Sequence, residues 1–138
     1  MTNYEMLLSQ GLDEKKNIIV ASGNPGFGRV YSILHHVRDQ GFSLRVFSAG
    51  FMDSSYDLRV ENMQDQVLLF DCLDRANNSV LEAIGEIVTH RSFNGEPLMN
   101  LLSVVLVFSG DLTSAALAMA SMAPSVVIAV PRVSQNSV

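Results

Sequence analysis

Hydrophobic residues fall into short continuous runs that alternate along the chain with amphipathic segments. Runs of strand length, bounded by polar or glycine-containing stretches, predict β-strands at residues 17–21, 42–48, 66–71, 103–109 and 125–130. Runs that are apolar throughout are typical of parallel strands buried on both faces. The pattern therefore predicts a mainly parallel five-stranded sheet.

Segments between these runs have helical periodicity. After the first strand, apolar residues recur at i, i+3, i+4 and i+7 up to a stop at Gly41, namely Val30, Ile33, Leu34 and Val37. A second amphipathic helix is predicted from the capping residues 77–79 to about His90. Weaker patterns predict a short helix over residues 4–10, a charged turn over 11–16, and an alanine- and methionine-rich helix over 113–122.

Two other segments have distinct local signals. Residues 49–65 are irregular and favour a loop with one helical turn. The Asn94–Gly95 pair, inside residues 90–98, is a strong hairpin signal.

Alternating strands and helices predict a three-layer α/β fold with helices on both faces of the sheet. We expect an N-terminal helix and turn over residues 1–16, a core over 17–132 and a frayed tail over 133–138. Ligands of such sheets bind at the carboxyl ends of the strands. Residues 23–30, 71–75 and 109–111 follow strand ends and should form a single site.

Composition and charge exclude several classes of protein and ligand. The 138 residues are 48% hydrophobic, which fits one packed domain, and the net charge of −5 argues against nucleic acid as a ligand. The longest apolar run, 101–108, is far shorter than the ~20 residues of a membrane-spanning helix. The N-terminus has no secretory signal, and the single cysteine, Cys72, excludes an internal disulfide, so we expect the cytoplasm or another reducing compartment.

A glycine-rich loop between the first strand and its helix has the spacing of a phosphate-binding loop, with Gly23, Asn24, Pro25, Gly26, Phe27, Gly28, Arg29 and Val30. The working motif has Lys and then Ser or Thr after its last glycine, whereas Arg29 and Val30 stand here. Arginine keeps the charge with a different geometry, and valine cannot ligate Mg²⁺. The loop either still holds a phosphate on its backbone N–H groups or only makes a tight turn.

The strand at 66–71 ends in Asp71, the residue type that holds Mg²⁺ in nucleotide-hydrolysing sheets, and is followed by Cys72 in place of a catalytic glutamate. A thiol is mostly neutral at neutral pH and is a poor base for water. We interpret Cys72 as a small structural residue rather than a nucleophile. His35, His36 and His90 lack metal-ligand spacing, and structural roles are favoured for them.

In combination, the motifs at residues 23–28, 67–76, 81–84, 90–98 and 126–132 resemble the AAA+ core of MoxR-type ATPases. The hairpin resembles the pre-sensor hairpin that this group shares with magnesium chelatases and minichromosome-maintenance helicases. The resemblance implies a P-loop NTPase-like fold and a site for ATP or ADP with Mg²⁺, with Asp71 as a metal ligand and Ser109 and Asp111 near the sensor position. The chain also departs from this family in two further ways: we expect the helical lid to be absent, and residues 119–124 lack the family's arginine.

These departures predict a protein without catalytic residues that acts by binding a protein partner, either an AAA+ ring or copies of itself. Losing an arginine finger alone costs about 10³–10⁵ in rate, so hydrolysis should fall to background. The alternative is a weak ATP- or GTP-binding ATPase in which Arg29 clamps phosphate and Asp71 or Asp74 serves as metal ligand or base. A third reading is that the chain is one module of a longer protein.

Overall fold

A computed structural model describes residues 3–21, 27–60, 65–108, 118, 121–123 and 125–129. Its strands are β1 (Asn17–Ala21), β2 (Leu44–Phe47), β3 (Gln66–Phe70), β4 (Ser92–Phe93), β5 (Glu96–Pro97), β6 (Leu101–Phe108) and β7 (Ser125–Ala129). Its helices are α1 (Asn3–Asp13), α2 (Phe27–Asp39) and α3 (Asn78–His90).

The main sheet has the strand order β2-β3-β6-β1-β7, and each neighbouring pair is parallel. Ala21 of β1 is level with Phe108 of β6 and Ala129 of β7, while Phe70 of β3 is level with Leu106. The prediction of a mainly parallel five-stranded sheet is confirmed.

Both faces of the sheet are covered, because successive strand residues point to opposite sides. Ile19 belongs to the cluster on the face covered by α3, with Ile84 and Ile87. Ile18 belongs to the opposite cluster, which includes Leu12 of α1 and Ile33 of α2. The helices therefore form the two outer layers of the predicted three-layer fold.

The first helix is longer than the sequence pattern indicated. It continues through Gly11 and Leu12 to Asp13, so the predicted turn at residues 11–13 was wrong. Leu12 is only 1% exposed, and a Cβ on Gly11 would lie 2.5 Å from Cγ1 of Ile18. Tertiary packing explains the difference, since the glycine lets α1 lie directly on β1.

Other elements differ less from the sequence-based predictions. Residues 49–60 contain two 3₁₀ turns, Ala49–Phe51 and Ser55–Asp57, where one helical turn was expected. Strand β6 begins at Leu101, two residues before the predicted start. Of the helix predicted at 113–122, the described residues 118, 121 and 122 are helical, and the others lie outside the described residues, as does the tail at 133–138.

The predicted hairpin is confirmed. Strands β4 and β5 are antiparallel, and Asn94 and Gly95 both have positive φ, 52° and 81°, as a type I′ turn requires. The Glu86 carboxylate of α3 accepts hydrogen bonds from the Ser92 hydroxyl at 2.6 Å and from the N–H groups of Asn94 and Gly95 at 3.1 and 2.9 Å. A single acidic side chain therefore holds the turn to the helix.

Helix α3 begins where the sequence predicted. The side chain of Asn77 accepts a hydrogen bond from the Val80 N–H at 3.0 Å, which satisfies one free donor of the first turn.

Within the described part of the chain, every helix is too short or too polar to cross a membrane.

Candidate functional site

The candidate site lies at the carboxyl edge of the main sheet. Strands β1 and β3 both end there, with β6 between them. Strands in a sheet are about 4.8 Å apart, so β1 and β3 are separated by about 10 Å across the sheet. This topology brings Ala21 and Phe70, the last residues of β1 and β3, to the same edge.

Most of the predicted phosphate loop, namely Gly23, Asn24, Pro25 and Gly26, lies outside the described residues. Phe27, Gly28 and Arg29 form the first turn of α2, so the positive end of the helix dipole follows the loop directly. Val30 is half-buried and packs against the cluster that contains Ile33. Its side chain therefore contributes to the core.

Asp71 follows β3 and is held by its neighbours. Its N–H donates to the Phe47 carbonyl at 2.9 Å, and its carbonyl accepts from the Gly50 N–H at 3.3 Å. Its Oδ1 accepts from the Cys72 N–H at 2.8 Å. One oxygen of the carboxylate is thus occupied by the N–H group of the next residue.

Cys72 has an uncommon backbone conformation for a residue with a side chain, with φ 54° and ψ 43°, and precedes the 3₁₀ turn Leu73–Arg75. Burial raises the pKa of its thiol, and the negative charges of Asp71 and Asp74 raise it further, although Arg75 acts in the opposite direction. The thiol therefore stays protonated at neutral pH and cannot accept a proton from water.

Gly50 supports this turn, and the sequence reasoning did not single it out. A Cβ at position 50 would lie 2.5 Å from the Cys72 carbonyl oxygen and 2.7 Å from the Cys72 Cβ. The segment after β2 therefore packs directly on the segment after β3 because residue 50 has no side chain. The only sequence signal was a glycine inside an irregular stretch.

The structure gives the positions of Asp71 and Asp74, the two residues predicted as possible metal ligands. Among the described residues, no three His, Cys, Asp or Glu side chains are grouped to hold a metal ion. Ser109 and Asp111 lie outside the described residues, so their predicted sensor role stays a prediction. Asp74 is exposed in the 3₁₀ turn.

Two of the three histidines, His35 and His36, contact nearby helical residues. His36 Nε2 of α2 lies 2.8 Å from the Ser9 hydroxyl of α1, and the His35 ring meets Tyr31 edge-to-face at 4.5 Å. The first contact joins two helices on one face of the sheet, as a structural role requires.

The sheet order and the two helical layers are those of a P-loop NTPase-like α/β core. Similar solved structures include RuvB of Thermotoga maritima, described as a Holliday junction branch migration motor, with a TM-score of 0.61 and 20% identity over 91% of this chain and 44% of that chain. A point mutant of the same RuvB has a TM-score of 0.64 and 18% identity over 91% of this chain and 43% of that chain.

RIF2 of Saccharomyces cerevisiae is a more distant neighbour, with a TM-score of 0.51 and 14% identity over 97% of this chain and 58% of that chain. Identities this low show the fold alone, and the chain spans less than half the length of the RuvB structures. No protein-family model matches the sequence. No curated protein matches it either. These neighbours support an AAA+-like fold. They do not support the predicted resemblance to MoxR-type ATPases in particular.

Proposed function

We propose that this chain is a degenerate AAA+-type domain that does not hydrolyse nucleotide and acts by binding a protein partner. The observation that carries the proposal is Cys72, which follows Asp71 where a working site has a catalytic glutamate. Since burial and neighbouring carboxylates raise the pKa of this thiol, it cannot activate water.

A second observation is the position of Val30. This residue stands where a hydroxyl would ligate Mg²⁺, and its side chain packs into the apolar cluster under α2. Metal ligand and water-positioning acid are therefore both replaced. Because groups of this kind are each worth orders of magnitude in rate, hydrolysis should not rise above background.

The partner we propose is an AAA+ ring, or further copies of this chain, within which the domain acts as an inert or regulatory subunit. Support comes from the AAA+ fold and from the sequence resemblance to MoxR-type ATPases, which extends to the hairpin at residues 92–97. Light scattering after size-exclusion chromatography tests the self-association. A strictly monomeric chain that binds no AAA+ subunit would contradict the proposal.

The single free cysteine leads us to propose a reducing compartment.

The decisive experiment measures phosphate release from ATP and GTP with Mg²⁺ by the wild-type chain and by Asp71→Ala. We expect both proteins to be indistinguishable from buffer. A wild-type rate that Asp71→Ala abolishes would refute the proposal. Cys72→Glu, combined with Arg29→Lys and Val30→Thr, is the matched restoration and should recover Mg²⁺-dependent nucleotide binding.

The second candidate function is a weak ATP- or GTP-binding ATPase. It is favoured by the start of α2 at Phe27, so that a helix N-terminus follows the loop directly in the chain, and by Asp71 at the carboxyl edge of the sheet. Arg29 would clamp phosphate, and Asp71 would hold Mg²⁺ through water. Thermal unfolding with ATP, GTP or ADP separates the two candidates, because a ligand at 100 times its Kd stabilises by about 2.7 kcal/mol. No shift with any nucleotide would leave only the first candidate.

A further inference from the structure

Strand β2 forms one edge of the main sheet, and among the described residues β3 is the only strand that pairs with it. Val46 of β2 is 44% exposed, and Ser43 and Ser48, which flank the strand, are exposed. An edge strand presents a row of backbone N–H and carbonyl groups to which another strand can bind. The direction of these groups in β2 therefore decides what the edge can bind.

One row of backbone groups in β2 is bonded to β3. The Ser43 carbonyl accepts from the Val67 N–H at 2.8 Å, and the Phe47 carbonyl accepts from the Asp71 N–H at 2.9 Å. In a parallel pair, the residues of one strand that bond to its neighbour alternate along that strand. Arg45, midway between Ser43 and Phe47, therefore also directs its N–H and its carbonyl towards β3.

The other row of backbone groups points away from the sheet. A trans peptide places the N–H of one residue opposite the carbonyl of the residue before it, so the N–H groups of Leu44, Val46 and Ser48 point away from β3. The carbonyls of Leu44 and Val46 point the same way, because the N–H groups of Arg45 and Phe47 point towards β3. Donors and acceptors therefore alternate along this edge as a further strand requires.

The described surroundings leave this edge accessible. Leu58, on the connection between β2 and β3, is 3% exposed and packs in the cluster on the α3 face, so this connection crosses a face of the sheet. Arg45 lies over the Phe47 ring, 5.1 Å from its centroid, which holds the charged side chain of β2 on that same face. The strand itself contains no proline, lysine or bulge, the features that commonly protect an edge.

A second copy of β2 fits this edge in an antiparallel arrangement about a two-fold axis. If Val46 lies opposite Val46 of the second copy, Leu44 lies opposite Ser48 and Arg45 lies opposite Phe47. The Val46 N–H and carbonyl groups then bond to each other across the axis, and the Ser48 N–H bonds to the Leu44 carbonyl. This register pairs two exposed valines and gives each arginine a second aromatic neighbour.

The neighbouring registers are less favourable. A register centred on Arg45 places the two arginines directly opposite, with Cβ atoms about 4.5–5.5 Å apart, whereas the register centred on Val46 separates them to a diagonal distance of about 7–8 Å. A register centred on Leu44 needs the Phe42 N–H, which already donates to the Val37 carbonyl at 3.1 Å. The edge is therefore complementary to itself in one register.

We propose that the edge of β2 is a self-association surface, on which a second copy of this chain adds its own β2 in antiparallel orientation with Val46 at the two-fold axis. The inference rests on the proposed function only in that the occupant is a further copy of the chain. A contact of this kind uses the same surface on both copies and therefore closes at a dimer.

The test is sedimentation equilibrium of the full chain from about 1 μM to about 1 mM, the range in which weak dimers dissociate. We expect a reversible equilibrium between monomer and dimer. A chain that stays monomeric over this range would overturn the proposal.

Two substitutions at Val46 test the surface. Val46→Pro removes an N–H that points away from β3 and leaves the bonds within the sheet in place. It should raise the dimer dissociation constant at least about tenfold, because each copy loses a donor and leaves a carbonyl of the other unpaired. Val46→Lys places two like charges opposite each other and should weaken the dimer about five- to tenfold. Thermal unfolding checks that each variant is folded, and association that neither variant weakens would overturn the proposal.

Val127 provides the matched control, because it is a valine on the other edge strand, β7, and is 38% exposed. Val127→Lys should leave the dimer dissociation constant unchanged, and equal weakening by the two lysine variants would overturn the assignment to β2. The register has its own test. Val46→Cys should form a disulfide between copies on mild oxidation, because Cα atoms of a hydrogen-bonded antiparallel pair are about 5.5 Å apart, and Val127→Cys should not.

The outcome is separable from that of the proposed function. Phosphate release from ATP by a chain that still dimerises through β2 would refute the proposed function and leave the self-association surface standing. A monomeric chain that binds an AAA+ subunit and releases no phosphate would refute only the self-association surface. Binding of that subunit that Val46→Pro abolishes would show that the edge takes a strand of a different protein.

Discussion

At the residue scale, the candidate site depends on the close approach of Gly50 to the Asp71–Cys72 turn. The glycine donates its N–H to the Asp71 carbonyl at 3.3 Å, and its missing Cβ leaves room for the Cys72 carbonyl. The position of Asp71 is thus set by a residue that is distant in the chain, on the segment that follows β2.

We expect Gly50→Ala to lower the free energy of unfolding by about 1–3 kcal/mol, because the new methyl group overlaps backbone atoms that cannot move independently. Gly85→Ala is the control, since a Cβ at Gly85 meets nothing within 4 Å and alanine favours a helix interior by about 0.5–1 kcal/mol. Urea unfolding measures both. Equal and favourable effects at the two sites would disprove the close packing at Gly50.

Cys72 allows a second measurement at this scale, because it is the only cysteine of the chain. Its raised pKa means a smaller thiolate fraction at neutral pH, so iodoacetamide should alkylate it more slowly in the native protein than in concentrated urea. As the pH is increased, the alkylation rate of the native protein should begin to rise at a higher pH than the alkylation rate of the unfolded chain. Mass spectrometry follows the reaction, and faster native alkylation at neutral pH would contradict the assigned environment.

At the element scale, the hairpin is held to α3 by one carboxylate. Hydrogen bonds from the Ser92 hydroxyl, and then from the Gly95 N–H, hold the pKa of Glu86 below its ordinary value of 4.5. Because the folded pKa is lower than the unfolded one, the stabilisation is present above about pH 4.5 and is lost as the pH falls through the folded value.

Glu86→Gln should therefore lower the stability at neutral pH by at most about 1 kcal/mol, since the group is solvent-accessible and its interactions are screened. The variant should also lose part of the acid dependence between neutral pH and the acid range. Glu82→Gln, one turn earlier on the same helix, is the matched control. Thermal unfolding as a function of pH measures both, and parallel profiles for wild type and Glu86→Gln would contradict the role of this carboxylate.

At the scale of the whole molecule, strands shared by two apolar clusters join the layers. The side chains of β1 alternate between the α3 cluster, through Ile19, and the α1–α2 cluster, through Ile18. Neither layer can lose its packing without exposing one face of the same strands. The described core should therefore unfold as one cooperative unit that includes the N-terminal helix.

Leu12→Ala on one face and Ile84→Ala on the other should each cost about 2–5 kcal/mol, because both side chains are fully or almost fully buried. Both should shift a single transition, seen at the same midpoint by far- and near-UV circular dichroism. Met6→Ala, at a side chain that is 56% exposed, is the control and should change the stability by less than about 0.5 kcal/mol. Separate transitions for the two variants would show that α1 is an independent unit.

Local patterns determined much of this protein. The apolar runs of β1, β3 and β7, the cap at Asn77 and the turn at Asn94–Gly95 could be predicted because each is encoded by neighbouring residues. The replacement of the expected glutamate by Cys72 was also visible in the sequence. Periodicity, capping and residue chemistry are short-range properties, so no three-dimensional information was needed for them.

Tertiary structure decided the features that depend on contacts between distant segments. The strand order, the packing of Gly50 on Cys72 and the meeting of Lys15 with Arg91 join residues far apart in the chain. The extension of α1 depends on the packing of Gly11 against Ile18 in the next element. A glycine in an irregular stretch or at a helix end has many local meanings. Only the neighbour that occupies the space of its missing side chain determines which one applies.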